Sequence, residues 1–143
     1  MIGTKRTILL VEDNPNDIEL TLRAFEKHKL ANVIDVARDG VEAMEYLESR
    51  KHNAELTLPA VILLDLKLPR IDGLEVLRRI RADERLRRIP IVILTSSNED
   101  RDRMRGYELG ANSYVRKPVD FGEFMHAARD LGMYWLVLNE PAE

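Results

Sequence analysis

Five short runs of apolar residues recur along the chain, and longer segments with helical spacing of apolar residues lie between them. The runs are rich in β-branched residues, which is typical of strands. They lie at 7–11, 32–37, 60–65, 91–95 and 113–117. Three of them are apolar almost without a break, as expected for strands that are covered on both faces. The pattern therefore predicts a β-α alternation that is repeated five times.

Capping residues indicate where the intervening helices begin. We expect helices to start after Asn14, Asp39, Asp72, Ser97 or Asn98, and Asp120. Gly110 is expected to end the fourth helix. For the second helix, the apolar spacing predicts an inner face made of Val41, Met44 and Leu47, with Tyr46 as an alternative to the last of these.

Parallel strands that are joined by helical crossovers form an open sheet with helices on both faces. The 143 residues, of which 45% are apolar, are enough for one ordinary domain with a single core. We therefore predict an α/β fold, a doubly wound five-stranded parallel sheet with five helices, as one domain over residues 1–143 with its core at about 7–131. In such sheets the functional groups lie at the carboxyl ends of the strands.

Charge and composition exclude several classes of partner. The net charge of −3 gives no overall field that would favour nucleic acid or an anionic membrane. The arginine-rich segment 78–88 raises nucleic-acid binding as an alternative, but its interleaved acidic and apolar residues favour a solvated helix face. The chain has no cysteine, and its first apolar run is too short to span a membrane. We expect a cytoplasmic protein that binds neither nucleic acid nor membrane.

Charged and hydroxyl side chains stand at the carboxyl ends of four predicted strands: Glu12 and Asp13, Asp65, Thr95, and Lys117. Clustered carboxylates repel one another, so stability alone gives no reason to gather three of them. A hard divalent cation does, and Mg²⁺, or Mn²⁺ as an alternative, prefers oxygen ligands. With the metal bound, Asp65 can attack phosphorus, while Lys117 neutralises charge on the transferring phosphoryl group and Thr95 donates a hydrogen bond to it.

Four segments at these positions resemble the response-regulator receiver domain of two-component signalling. They are LVEDN at 10–14, ILLDLKLPRIDG at 62–73, VILTS at 92–96 and GANSYVRKP at 110–118. The resemblance covers roughly residues 7–131. It implies a flavodoxin-like fold with strand order 2-1-3-4-5. It also implies that a sensor histidine kinase transfers a phosphoryl group from its phosphohistidine to Asp65.

The same resemblance implies further roles by matching position. Glu12, where many relatives have Asp, and Asp13 correspond to the acidic metal pair, and Lys67 corresponds to a residue whose backbone carbonyl contacts the metal. Thr95 and Lys117 correspond to the phosphoryl contacts, Tyr114 to an aromatic switch, and the bond from Lys117 to Pro118 to a cis peptide. Taken alone, Asp65 fits the cap of a turn better than a phosphorylation site, and Tyr114 fits a core aromatic as well as a switch; the matching residues around them favour the functional roles.

A finer resemblance concerns the segments NPNDIELTLRAFE at 14–26, VARDGVEAMEYL at 36–47 and YWLVLNEP at 134–141. These look like the stand-alone regulators that partner bacterial phytochromes, so a phytochrome-type kinase is one expected partner. The tail at 132–143 contains four consecutive apolar residues, 135–138, which would be costly to expose. They either fold back or bury in a second copy of the chain, and we favour a homodimer that involves the fifth helix and this tail.

The leading functional hypothesis is a phospho-acceptor switch that catalyses only its own phosphorylation and dephosphorylation. A hydrolase of the haloacid-dehalogenase type is an alternative, because those enzymes also attack phosphorus with a strand-end aspartate. They carry a second aspartate two residues later, where this chain has Lys67. The third hypothesis is an adaptor that works without phosphorylation.

Overall fold

A computed structural model describes residues 7–30, 32–53, 57–96, 100–117 and 120–133, with residues 95 and 100–103 described by their backbone only. Five strands alternate with five helices within these ranges. The strands are β1 (Thr7–Val11), β2 (Val33–Ala37), β3 (Val61–Asp65), β4 (Ile91–Thr95) and β5 (Ser113–Arg116). The helices are α1 (Pro15–Lys27), α2 (Gly40–Lys51), α3 (Gly73–Ala82), α4 (Asp100–Glu108) and α5 (Phe121–Asp130).

All four strand pairings are parallel, and the order across the sheet is β2-β1-β3-β4-β5. The order reverses at β1, which lies between β2 and β3 although it comes first in the chain. The doubly wound α/β sheet that the apolar pattern predicts is confirmed, and so is the flavodoxin-like strand order 2-1-3-4-5 that the family resemblance implies. The carboxyl ends of all five strands therefore lie along one edge of the sheet.

Alternate residues of the central strands enter two separate cores and not the single core that the length predicted, because successive side chains of a strand point to opposite faces. In β1, Leu9 and Val11 pack on the side of α2 and α3. Ile8 and Leu10 pack on the side of α1 and α5, where Phe25 and Phe124 lie with their ring centroids 5.0 Å apart. A strand with apolar residues on both faces is thus the natural consequence of helices on both sides.

Side-chain caps begin four of the helices. The carboxylates of Asp39, Asp72 and Asp120 each accept a hydrogen bond from the backbone N–H three residues later, and Asn14 accepts from the two N–H groups of residues 16 and 17. These four predicted caps are confirmed. The predicted caps of the fourth helix, at 97 and 98, lie outside the described residues. Gly110 adopts a φ of +101° after α4, which suits a glycine that ends a helix.

The predicted inner face of α2 is correct only in part. Leu47 is buried, and the half-buried Met44 and Tyr46 pack against the core. The buried positions that the spacing did not predict are Gly40 and Ala43, while Val41 is only half-buried. The cause is a close backbone approach, because a Cβ added at Gly40 would lie only 2.6 Å from Cβ of Ile71. Small residues therefore set which side of α2 faces the core. Across the described part of the chain, none of the helices has the length and apolar character that crossing a membrane requires.

Candidate functional site

Acidic side chains from two neighbouring strands meet at the carboxyl edge of the sheet. Glu12 and Asp13 directly follow β1, and Asp65 is the last residue of β3, which pairs with β1. One carboxylate oxygen from each of the three residues lies within 4.8 Å of the others. Folding therefore brings the three predicted acids into one group, although more than 50 residues separate the first two from the third.

The group is closed on the protein side and open to solvent on the other. Glu12 is 1% exposed and Asp65 is 5% exposed, whereas Asp13 is an exposed residue. Magnesium binds to proteins through one or two carboxylates and keeps several waters or substrate oxygens. A cluster of carboxylate oxygens with one open side fits that requirement, so the residues present are suited to a hard divalent cation.

Lys117 follows β5, the edge strand two places from β3, and its side chain extends into the same group of carboxylates. Its Nζ atom donates hydrogen bonds to Oε1 of Glu12 at 2.6 Å and to Oδ2 of Asp17 at 3.0 Å. Oδ2 of Asp65 lies farther from this nitrogen, at 3.4 Å. The lysine side chain is only 9% exposed. One buried ammonium group is thus shared among three carboxylates.

Burial and charge shift the pKa values of both central groups. Burial and, after it, the nearby Glu12 carboxylate raise the pKa of Asp65 to about 7, although Lys117 and a hydrogen bond from the Lys67 backbone act in the opposite direction. Burial lowers the pKa of Lys117, but hydrogen bonds to Glu12 and Asp17 outweigh burial and bring it above its ordinary value. The pKa shift of Lys117 favours its charged form, whereas the pKa shift of Asp65 without a metal favours its protonated form.

The backbone of Asp65 is fixed by the beginning of α3. The N–H of Gly73 donates a hydrogen bond of 2.8 Å to the carbonyl oxygen of Leu66. A Cβ added at Gly73 would lie 2.6 Å from Cα of Leu66 and would collide with the carbonyl oxygen of Asp65. Only glycine allows this approach. The first turn of α3 and the end of β3 consequently form one rigid unit.

Tyr114 on β5 is half-buried and packs between the sheet and α4. Its ring centroid lies 5.1 Å from that of Tyr107, and its hydroxyl occupies the space where a Cβ at Gly106 would stand. The added Cβ would also lie 2.9 Å from Cδ1 of Ile93. The position is compatible both with a core aromatic and with the predicted switch.

Four of the predicted site residues come together: Glu12, Asp13, Asp65 and Lys117. The Lys67 backbone contacts the Asp65 carboxyl group while the Lys67 residue is exposed. Thr95 ends β4, and its side chain lies outside the described part of the structure, as do Pro118 and the tail at 134–143. The predicted hydrogen bond from Thr95 and the cis bond before Pro118 therefore stay predictions.

Asp17 is the site residue that the sequence analysis missed. It was visible only as an acid in the first turn of α1, where acidic residues commonly favour the helix dipole. The position of Asp17 in the chain could have indicated a role in the site. Since α1 begins three residues after Glu12, its first turn must lie over the same edge of the sheet.

Comparison with known proteins gives a consistent result. The family model for the response regulator receiver domain matches residues 8–129. The probable methanogenesis regulatory protein FilR2 of Methanothrix harundinacea is 43% identical over 132 residues, which are 92% of this chain and 84% of that protein.

Among solved structures, the bacteriophytochrome response regulator AtBRR is 56% identical with a TM-score of 0.85, and the match covers 96% of this chain and 100% of that one. The bacteriophytochrome response regulator RtBRR is 52% identical with a TM-score of 0.83, covering 97% of this chain and 85% of that one. The Mn²⁺-bound form of response regulator Rcp1 is 34% identical with a TM-score of 0.73, covering 96% and 99%.

Proposed function

Because the chain belongs to the response-regulator receiver family, in which phosphorylation on an aspartate is typical, we propose that Asp65 accepts a phosphoryl group from a sensor histidine kinase. One observation carries this proposal: Asp65 ends a central strand among two further carboxylates and a buried ammonium group. No requirement of folding explains that arrangement, since gathered carboxylates oppose one another. A site that receives a polyanionic group and a cation together does explain it.

In the proposed reaction an Oδ atom of Asp65 attacks the phosphorus atom of the kinase's phosphohistidine. A P–O bond to Asp65 forms while the P–N bond to the imidazole breaks, and the electron pair of that bond stays on the imidazole nitrogen. Lys117 holds positive charge 3.4 Å from Oδ2 of Asp65, where the phosphoryl oxygens would arrive. Its raised pKa keeps it charged throughout.

Glu12, Asp13 and Asp65 would hold Mg²⁺, with the backbone carbonyl of Lys67 as a fourth proposed ligand. The ion would supply charge neutralisation to the carboxylates and to the transferring oxygens. Glu12 has a longer side chain than the aspartate that many relatives carry at this position, and its burial places its oxygens among those of its neighbours. Mn²⁺ has similar ligand preferences, and the Mn²⁺-bound structure of Rcp1 supports its use as a substitute.

Three further roles complete the proposal. Thr95 would donate a hydrogen bond to the phosphoryl group, and a cis bond between Lys117 and Pro118 would direct Lys117 inward. Tyr114, whose hydroxyl lies in the space that Gly106 of α4 leaves, would change its packing against α4 when Asp65 is phosphorylated. The output would then be protein association, and a homodimer that uses the tail after residue 132 is one form of it.

The test of the proposed function is incorporation of label from ³²P-acetyl phosphate with Mg²⁺. We expect the parent protein to gain an acid-stable, hydroxylamine-labile phosphoryl group, and the Asp65→Asn variant to gain none. Chelation of divalent cations with EDTA should abolish the labelling. Equal labelling of the parent and of Asp65→Asn would refute the assignment of Asp65. Rapid release of phosphate from simple phosphoesters would favour the hydrolase alternative instead.

A phytochrome-type histidine kinase is the partner we propose, on the strength of the similarity to AtBRR and RtBRR. Profiling of phosphotransfer against the histidine kinases of the source genome should identify one kinase that labels Asp65 much faster than the rest. Preference for a kinase without a photosensory region would contradict the phytochrome assignment alone.

A chain without cysteine suits a reducing compartment, and we extend the proposal to the cytoplasm.

A further inference from the structure

Asp17 makes a direct hydrogen bond to the lysine of the site. We propose that Asp17 is a positioning residue that holds the Lys117 ammonium group away from Asp65 in the unphosphorylated protein and thereby slows phosphorylation. This inference rests on the proposed function of Asp65. Its basis is the geometry around Nζ of Lys117, which lies 3.0 Å from Oδ2 of Asp17 and 3.4 Å from Oδ2 of Asp65.

An ammonium group has three hydrogen-bond donors and no acceptor, so at most three oxygens can each receive a hydrogen bond of their own from it. Glu12 takes one donor at 2.6 Å, and Asp17 takes a second at 3.0 Å. The remaining contact, to Asp65, is longer than either hydrogen bond. Asp17 thus holds one of the two donors that could otherwise turn toward an arriving phosphoryl oxygen, and draws the ammonium group toward α1.

The two acids that hold Lys117 differ in how readily they can release it. The side chain of Glu12 is 1% exposed, so losing the lysine would leave a buried charge without compensation. The side chain of Asp17 is 30% exposed. It also stands in the first turn of α1, where the free backbone N–H groups favour a negative charge. Asp17 is therefore the partner that can be given up at small cost.

The consequence for the reaction follows from where the contact is made. Lys117 pairs with Asp17 before the reaction, whereas the proposed transition state needs the same ammonium group beside the phosphoryl oxygens. An interaction that is stronger in the ground state than in the transition state raises the barrier. Removing the charge of Asp17 should therefore accelerate phosphorylation, which is the opposite of what loss of an ordinary site residue does.

The experiment compares Asp17→Asn with Glu19→Gln. Both changes remove one negative charge from α1 and keep the shape of the side chain, but Glu19 is exposed and pairs with Arg23 at 2.6 Å on the helix surface. The rate of labelling by acetyl phosphate is measured at saturating Mg²⁺ over a range of donor concentrations. Asp17→Ser is a second variant that removes the charge, and Asp17→Glu is the conservative variant that keeps it.

We expect Asp17→Asn and Asp17→Ser to raise the maximal rate about three- to tenfold, as the loss of a partly exposed charge contact predicts. The donor concentration at half-maximal rate should stay within twofold, because the change acts on Lys117 and not on donor capture. Glu19→Gln should stay within about 1.5-fold of the parent, and Asp17→Glu should restore most of the slow rate. In the absence of donor and metal, the ¹⁵N shift of Lys117 Nζ should move in Asp17→Asn and not in Glu19→Gln.

An unchanged or lower maximal rate in both charge-removing variants would overturn the inference. A gain confined to half-saturation, or one that Glu19→Gln shares, would also overturn it, since it would indicate general repulsion of an anionic donor. These outcomes leave the proposed function standing as long as the parent is labelled and Asp65→Asn is not. Loss of the difference between those two proteins would overturn the proposed function itself.

Discussion

Replacing Arg81 with methionine should destabilise the fold more than the same substitution at an exposed arginine of the same helix. The guanidinium group of Arg81, near the end of α3, donates hydrogen bonds to the backbone carbonyls of Gly110, Arg87 and Ile89 at 2.8, 2.9 and 2.8 Å. It also donates to Oδ1 of Asn112 at 2.8 Å. All four acceptors are uncharged, and they belong to the loops before β4 and before β5.

The environment of these four hydrogen bonds determines how much stability the substitution removes. Arg81 is half-buried, and this burial lowers its pKa because the protein removes part of the hydration shell of the guanidinium group. The bonds to Gly110 and Ile89 are partly buried, and the other two are exposed, where water can replace the lost donor. At about 1 kcal/mol for each partly buried bond, and little for the rest, we expect a loss of about 2 kcal/mol. For a chain of this size that corresponds to a fall in Tm of roughly 6–8 °C.

The assay is urea unfolding followed by far-UV circular dichroism, with Arg79→Met as the matched control. Arg79 lies two residues earlier on the same helix and is exposed, with an ion pair of 2.9 Å to Glu75. Its loss should cost below about 0.5 kcal/mol. Arg81→Lys should recover less than half of the loss, because an ammonium group cannot reproduce the planar fork. Equal midpoints for Arg81→Met and Arg79→Met would refute this account of Arg81.

Two further predictions concern aromatic residues. Gly106→Ala should lower the free energy of unfolding in urea by about 1–2 kcal/mol, although alanine favours helices, because its Cβ collides with the Tyr114 hydroxyl. Adding Tyr114→Phe should recover most of the loss. The control Gly122→Ala, whose Cβ has one contact at 3.1 Å, should be nearly neutral. Burial and then a hydrogen bond to Asp35 raise the pKa of Tyr46, so the stability advantage of the parent over Tyr46→Phe should hold from about pH 7 to 9 and shrink above about pH 10, where the unfolded tyrosine ionises.

Each of these two predictions has an outcome that would contradict it. Additive losses for Gly106→Ala and Tyr114→Phe in a double-mutant cycle would show that the hydroxyl does not fill the space beside Gly106. A stability difference between the parent and Tyr46→Phe that grows above pH 10 would mean that the folded protein favours the ionised phenol. That outcome would contradict the hydrogen bond of 2.7 Å from Tyr46 to Asp35.

The sheet was predictable because its central strands carry an uninterrupted signal. Residues 61–64 are all fully buried, and only a strand with helices on both faces needs apolar residues at every position. Caps were equally readable, since Asn14 and Asp39 act on backbone groups within three residues of themselves. The inner face of α2 was predictable only in part, because the burial of Gly40 depends on its close approach to Ile71, a contact between residues distant in the chain.

The site divides in the same way. The meeting of Glu12, Asp13 and Asp65 follows from the rule that parallel strands end at one edge, so their grouping could be predicted from position alone. The hydrogen bond between Asp17 and Lys117 joins residues 100 positions apart and depends on the direction in which one long side chain extends. Patterns of spacing contain no information about such a choice between partners.

The close packing of Gly73 against the end of β3 has a mechanical consequence. It leaves the aspartate at the tip of a post that cannot bend toward α3, because the glycine and the carbonyl behind it already touch. We therefore expect a change at that carboxylate to be taken up by side chains and not by the main chain of β3. Lys117 is one such side chain, because its ammonium group lies within 3.4 Å of three different carboxylates.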